Sequence, residues 1–143
     1  MDYDNYLEEC EKIRKTNDLL LAVFKDDLIQ AGLKDKTIDR HLTNVNFYIN
    51  EYLLHYDAYP MEEGLDMIGD FLGYYYIHKC LWSTPGNLKT TAASIKKFYK
   101  SMADHGKINK EDYEDFCFYV KESMDEWQHD CAMYNTPDAF GPF

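Results

Sequence analysis

LKDKTIDRHLTNVNFYINEYLL, residues 33–54, opens with basic side chains and a threonine and then settles into apolar residues three and four apart. Ile38, Leu42, Val45, Ile49, Leu53 and Tyr56 form one stripe at helical spacing, with Asp35 or Thr37 placed to cap the helix that carries them. An apolar stripe behind a charged first turn is the pattern of a helix that packs into a small bundle and keeps one end in solvent. The first turn has the sign that meets phosphate. The whole chain does not: its formal net charge is −11 and its sequence pI is about 4.7.

The same spacing extends in both directions. Upstream, Leu19, Leu20, Val23, Phe24 and Leu28 predict a helix from about Asp4 to Gln30, with Thr16 and Asn17 as the place where it would break and Ala31-Gly32 as its stop. Downstream, Tyr59-Pro60 interrupts the chain. Pro60 suits the first turn of a third helix, and Glu62 and Glu63 suit its positive end. That helix carries Leu65, Ile68, Leu72, Tyr75 and Tyr76 and is expected to end near Trp82. Gly69 and Gly73, one turn apart, would admit close approach of a neighbouring helix, although glycine more often only costs ~1 kcal/mol of helix propensity.

STPGN, residues 83–87, reads as a turn. A fourth helix comes next, with Leu88, Ala92, Ile95, Tyr99 and Met102 on its inner face, closed by His105-Gly106. The last helix, roughly Lys110 to Tyr134, places Tyr113, Phe116, Val120, Met124 and Trp127 on one side, and residues 136–143 read as an extended tail. No repeat with a period of ~20–50 residues is visible. The expected fold is all-α: a single helical domain over residues 1–143, built as a bundle of five to six helices.

Composition agrees with a packed core. The 143 residues are 45% hydrophobic and 16% aromatic, too apolar for a disordered acidic chain. MDYDNYLEEC at the N-terminus lacks the basic and apolar regions of a signal peptide, and no run approaches the ~20 apolar residues of a membrane span. Cys10, Cys80, Cys117 and Cys131 are scattered without C-x-x-C spacing, so reduced thiols and a cytoplasmic location are expected, with no membrane partner.

Charge is spread unevenly. Residues 83–110 hold Lys89, Lys96, Lys97, Lys100, Lys107 and Lys110 against Asp104, a balance of +5, whereas residues 1–82 and 111–143 each balance at −8. Lys89, Lys96 and Lys100 share one outer face of the fourth helix, with Lys97 beside it and Thr90 and Thr91 near its start. Such a face offers donors and positive charge to phosphates; a solvated surface that balances acidic neighbours is the commoner reading of the same pattern. Lys34, Lys36, Thr37 and Arg40 offer the same chemistry at the start of the second helix.

KDKTIDRHLTNVNFYINEYLL resembles the first core helix of the SAM-like core-binding domain of tyrosine recombinases and phage integrases. MIGDFLGYYYIHKCLW resembles the middle helix of that domain, and TPGNLKTTAASIKKFYKSMADHGKI its final helix and exit turn. The resemblance covers about residues 20–108. It implies a four-helix unit that grips one face of duplex DNA, with contacts from Lys34, Lys36, Thr37 and Arg40 and from Lys89, Thr90, Lys96, Lys97 and Lys100. The recombinase chemistry is not implied. The chain has only Arg14 and Arg40 as arginines, and none of its five histidines begins H-x-x-R. An acidic aromatic helix, residues 109–135, stands where the family places a much larger catalytic domain.

Other chemistry is thin. His78/Cys80 and His129/Cys131 are zinc-type pairs, but residues two apart on a helix point about 200° apart. The acidic pairs Asp26-Asp27 and Glu62-Glu63, and Asp112 with Glu114-Asp115, lack calcium-loop spacing, and helix starts explain several of them. No phosphate loop or nucleophile elbow occurs. The expectation is a non-enzyme without cofactor or metal. It contacts duplex DNA through its basic helix faces or serves as a protein-interaction or oligomerisation module. In the second case Phe116, Tyr119, Trp127 and Tyr134 on the last helix would engage a partner or a second copy.

Overall fold

A computed structural model describes residues 2–136, so nearly all of the expected tail lies outside the described residues. Helix α1 runs Tyr3–Gln30 without a break. Asp2 caps it, its carboxylate accepting from the Asn5 N–H at 2.8 Å. The break expected at Thr16–Asn17 does not occur, because Asn17 is buried and donates to the Ile49 carbonyl (3.2 Å) and to Asn50 Oδ1 (2.7 Å). A residue with a local preference for turns is held in the helix by partners on the next one. Leu20, Phe24 and Leu28 are buried as expected, but Leu19 is 71% exposed. Gly32, at φ 79°, ends the helix in the left-handed conformation that suits glycine.

Helix α2 spans Asp35–Asn46. Its N-cap is Lys34, whose side chain makes no capping bond, so neither Asp35 nor Thr37 caps it; Asp35 sits in the first turn, at the positive helix end. The helix then widens into a π segment, Phe47–Tyr52. That extra residue per turn rotates the remainder of the helix by roughly 100° relative to a regular α-helix. Tyr48, Ile49, Asn50, Tyr52, Leu53 and Leu54 are therefore all buried, whereas Tyr56 leaves the stripe at 68% exposure.

Pro60 leads into a 3₁₀ turn, Met61–Glu63, and helix α3, Gly64–Asp70. A second π segment, Phe71–Tyr75, joins α3 to α4, Tyr76–Lys79, which stops short of Trp82 because Cys80 is extended. Helix α5, Pro85–Asp104, begins inside the STPGN stretch. Thr84 caps it by accepting from the Asn87 N–H (3.0 Å), and Pro85 takes the first position, where a missing N–H costs nothing. Gly106, at φ 71°, closes the helix after His105. Helix α6 is Lys110–Tyr134, capped by Asn109 through the Glu111 N–H (2.7 Å).

The fold is all-α, and among the described residues there is no strand. Helix α5 lies against α1, α2 and α6, and its Leu88, Ala92, Ile95, Phe98, Tyr99 and Met102 run through one buried core. Helix α6 belongs to that core through Phe116, Val120, Trp127 and Cys131. Gly69 and Gly73 explain how it gets so close. A Cβ on Gly73 would meet Trp127 Nε1 at 2.9 Å, and one on Gly69 would collide with the Tyr119 hydroxyl.

Candidate nucleic-acid interface

With the inner face of α5 committed to the core, helical phase sends Lys89, Ala93, Lys96 and Lys100 outward, with Lys97 beside them. Helix α6 runs alongside and turns Tyr113, Val120 and Met124 toward α5. These residues, with Ala92 and Ala93, floor a groove of about 520 Å³. Lys89, Lys96, Lys97 and Lys100 form one wall, Lys121 stands on the other, and Asp125 is the one carboxylate that lines it. Eleven residues separate the first and last lysines of the row, about 16 Å along the helix axis.

Few acids meet these lysines. Among the described residues only Lys100 of the rim is ion-paired, with Asp104 of its own helix (2.9 Å), and that bond raises the Lys100 pKa. Lys89, Lys96, Lys97 and Lys121 have no carboxylate within ion-pair range among the described residues. Asp112 and Asp115 of α6 instead line a separate cleft of about 440 Å³ with Glu62 and Asp66 of the α3 segment. Of the α6 carboxylates that line these two hollows, Asp112 and Asp115 belong to the acidic cleft and Asp125 to the lysine groove.

Helix α2 meets α5 along a polar seam. His41 is buried, with Nδ1 2.8 Å from Ser94 Oγ; Asn44 donates to the same hydroxyl oxygen at 3.0 Å, and Ser94 donates back to the Thr90 carbonyl at 3.3 Å. Burial, then the charges of Arg40 and Lys97, hold the His41 pKa below its usual value. Arg40 and Lys97 thus act on one histidine from two helices; Arg40 is exposed on α2 and does not line the groove. Lys34 and Lys36 are exposed at the start of α2 and do not line the groove; Thr37 is half-buried. Thr90 is engaged with its own helix, its hydroxyl donating to the Gly86 carbonyl at 3.0 Å.

His41 predicts a pH response. Its folded pKa lies below the unfolded value near 6.5, so the unfolded chain takes up the proton first. Its contribution to stability is level above about pH 6.5 and falls as pH drops through that value toward the folded pKa. Urea denaturation at pH 7.5 and 5.5 should show this loss in the wild type and a smaller one in His41→Asn. Equal losses in both proteins would remove His41 as the cause.

Two parts of this face escaped sequence reading. Lys121 is the one base among nine acids after residue 110, and only the packing of Val120 and Met124 shows which side it joins. The Arg40–Lys97 neighbourhood depends on how α2 crosses α5. The four aromatics expected to engage a partner divide: Phe116 and Trp127 are core, whereas Tyr119 and Tyr134 remain on the surface of α6. Burial pushes the Cys80 thiol up to about 11, and among the described residues no group of three or more His, Cys, Asp or Glu is arranged to hold a metal ion. Nor is any described helix long and apolar enough to cross a membrane. Fold and groove together define a helical bundle that is acidic overall but carries one lysine-rimmed face. No protein-family model, curated protein or solved structure matches the chain.

Proposed function

We propose that this chain is a non-catalytic DNA-binding domain that holds the phosphate backbone of duplex DNA on the α5 lysine row, extended by Arg40 and Lys121. The observation that carries the reading is the unpaired state of Lys89, Lys96 and Lys97 among the described residues, on a groove where Asp125 is the one lining carboxylate. Contacts of this kind release counterions and are insensitive to base sequence. The net charge of −11 opposes approach to DNA, so binding is expected to be weak and strongly salt-dependent.

Fluorescence anisotropy of a labelled duplex of ~20 base pairs tests this at ~50 mM and ~200 mM salt. With about four phosphates neutralised, affinity should fall on the order of 100-fold between the two. Lys89/Lys96/Lys97→Ala should bind about tenfold more weakly at low salt and show a salt slope shallower by about three. Undiminished affinity in the variant, or no binding by the wild type at ~50 mM, overturns the reading. The apolar floor of Ala92, Val120 and Met124 favours a second one, a protein-interaction role in which the groove seats an acidic amphipathic helix. No DNA binding at low salt would leave that role in place.

A further inference from the structure

A smaller pocket opens at the end of the α2–α5 seam. It measures about 250 Å³ and is lined by Thr43, Asn44, Phe47, Tyr76, Trp82 and Thr91. That is below the ~300 Å³ at which sites for drug-sized ligands begin, so it suits a single ring system. Three of its six residues are aromatic. Trp82 is 54% exposed and meets Phe47 edge-on, with ring centroids 5.6 Å apart at 79°.

The turn that presents Trp82 is strapped in place. Asn87 donates to the Trp82 carbonyl (2.9 Å), Ser83 to the Ile77 carbonyl (3.2 Å), and Asn135 to the Ser83 carbonyl (2.6 Å). Polar atoms in the pocket remain available. Asn44 spends its amide N–H on Ser94, leaving Oδ1 without a partner among the described residues; the Thr43 hydroxyl also has none. An apolar peptide side chain would leave those atoms unpaired, whereas a ring bearing an amino group would satisfy Oδ1. Position supplies the rest: Asn44 lies one turn beyond Arg40 on α2, and its partner Ser94 lies one turn before Lys97 on α5.

We infer that this pocket receives an unpaired nucleobase, adenine or cytosine, from the DNA whose phosphates lie on the α5 row. The inference rests on the proposed phosphate contact and adds a ligand class to it. The base stacks on the half-exposed Trp82 and gives its exocyclic amine to Asn44 Oδ1. A base inside intact duplex is stacked and paired, so only an unpaired one enters without that loss.

Three duplexes of ~20 base pairs decide it by anisotropy at ~50 mM salt: fully paired, with one bulged adenine, and with an abasic residue at the same bulge. The bulged adenine should bind about tenfold tighter than the abasic bulge, as expected for one stacked base. Trp82 emission should change with it, since the other tryptophan, Trp127, is buried. Trp82→Ala and Asn44→Ala should each bring the adenine bulge down toward the abasic value, and two variants on different elements guard against one that misfolds. Equal affinity for adenine and abasic bulges in the wild type overturns the base pocket and leaves the phosphate reading standing. Failure to bind any of the three overturns both.

Discussion

Phe71→Ala should lower folding stability by about 4 kcal/mol, near the upper range for truncating a buried aromatic ring. Phe71 lies at the centre of an aromatic cluster: its ring centroid is 4.8 Å from those of Tyr48 and Tyr52, 5.8 Å from Tyr76 and 6.0 Å from Phe47. The surrounding rings are poorly placed to collapse into the space it would leave. The Tyr48 hydroxyl donates to the Gly64 carbonyl at 2.5 Å, and the Tyr52 hydroxyl is held by the Asp70 carboxylate. Moving either ring inward would break a hydrogen bond, buried in the case of Tyr48, so the cavity should stay open and the loss should be near its maximum. Urea denaturation measures it, with Leu19→Ala as a control whose side chain is exposed and whose change should stay within ~0.5 kcal/mol. A Phe71→Ala loss below about 1 kcal/mol would mean that the cluster relaxes and that those hydroxyl bonds do not fix it.

That cluster also shows where sequence reading stopped. The inner face of α5 was legible because its apolar period of three and four runs uninterrupted from Leu88 to Met102, and α6 was legible for the same reason. The aromatic core was not, because both π segments change the phase in mid-helix. FYINEY and FLGYY bury residues that a regular α-helix would split between core and solvent. The one available signal was density: runs with too many aromatic and aliphatic side chains for one face. Asn17 was misread for a related reason, since its partners Ile49 and Asn50 sit in the first of those segments.

The candidate site divides along the same line. Lys89, Lys96 and Lys100 could be placed on one face by counting, because one helix carries them all. Lys121, Arg40 beside Lys97, and the pocket under Trp82 each join residues from different helices, and local spacing contains nothing about helix crossings. Charge and resemblance alone point to the three expected residues at the start of α2 other than Arg40. Lys34 and Lys36 lie in solvent away from the groove, and Thr37 is half-buried.

A chain ended after Ile108 should lose cooperative folding altogether. Helix α6 supplies Phe116, Val120, Trp127 and Cys131 to the buried core, and Phe116 meets the fully buried Tyr99 at a centroid distance of 5.1 Å. Truncating Phe116 or Trp127 alone should cost about 3–5 kcal/mol, against a total stability of roughly 5–15 kcal/mol for an ordinary domain. Losing both, together with the partners of Gly69 and Gly73, should leave residues 1–108 without a stable core. The same deletion removes Tyr113, Val120, Met124 and Lys121, which are the floor and far wall of the groove. Helix α6 builds the groove, and its Asp112 and Asp115 line the cleft beside α3. Thermal unfolding followed by circular dichroism separates the alternatives. A broad, non-cooperative trace from the shortened chain is the expected result. A sharp transition within about 5 °C of the full chain, at this size little more than 1 kcal/mol, would place the core within residues 1–108 and make α6 an accessory.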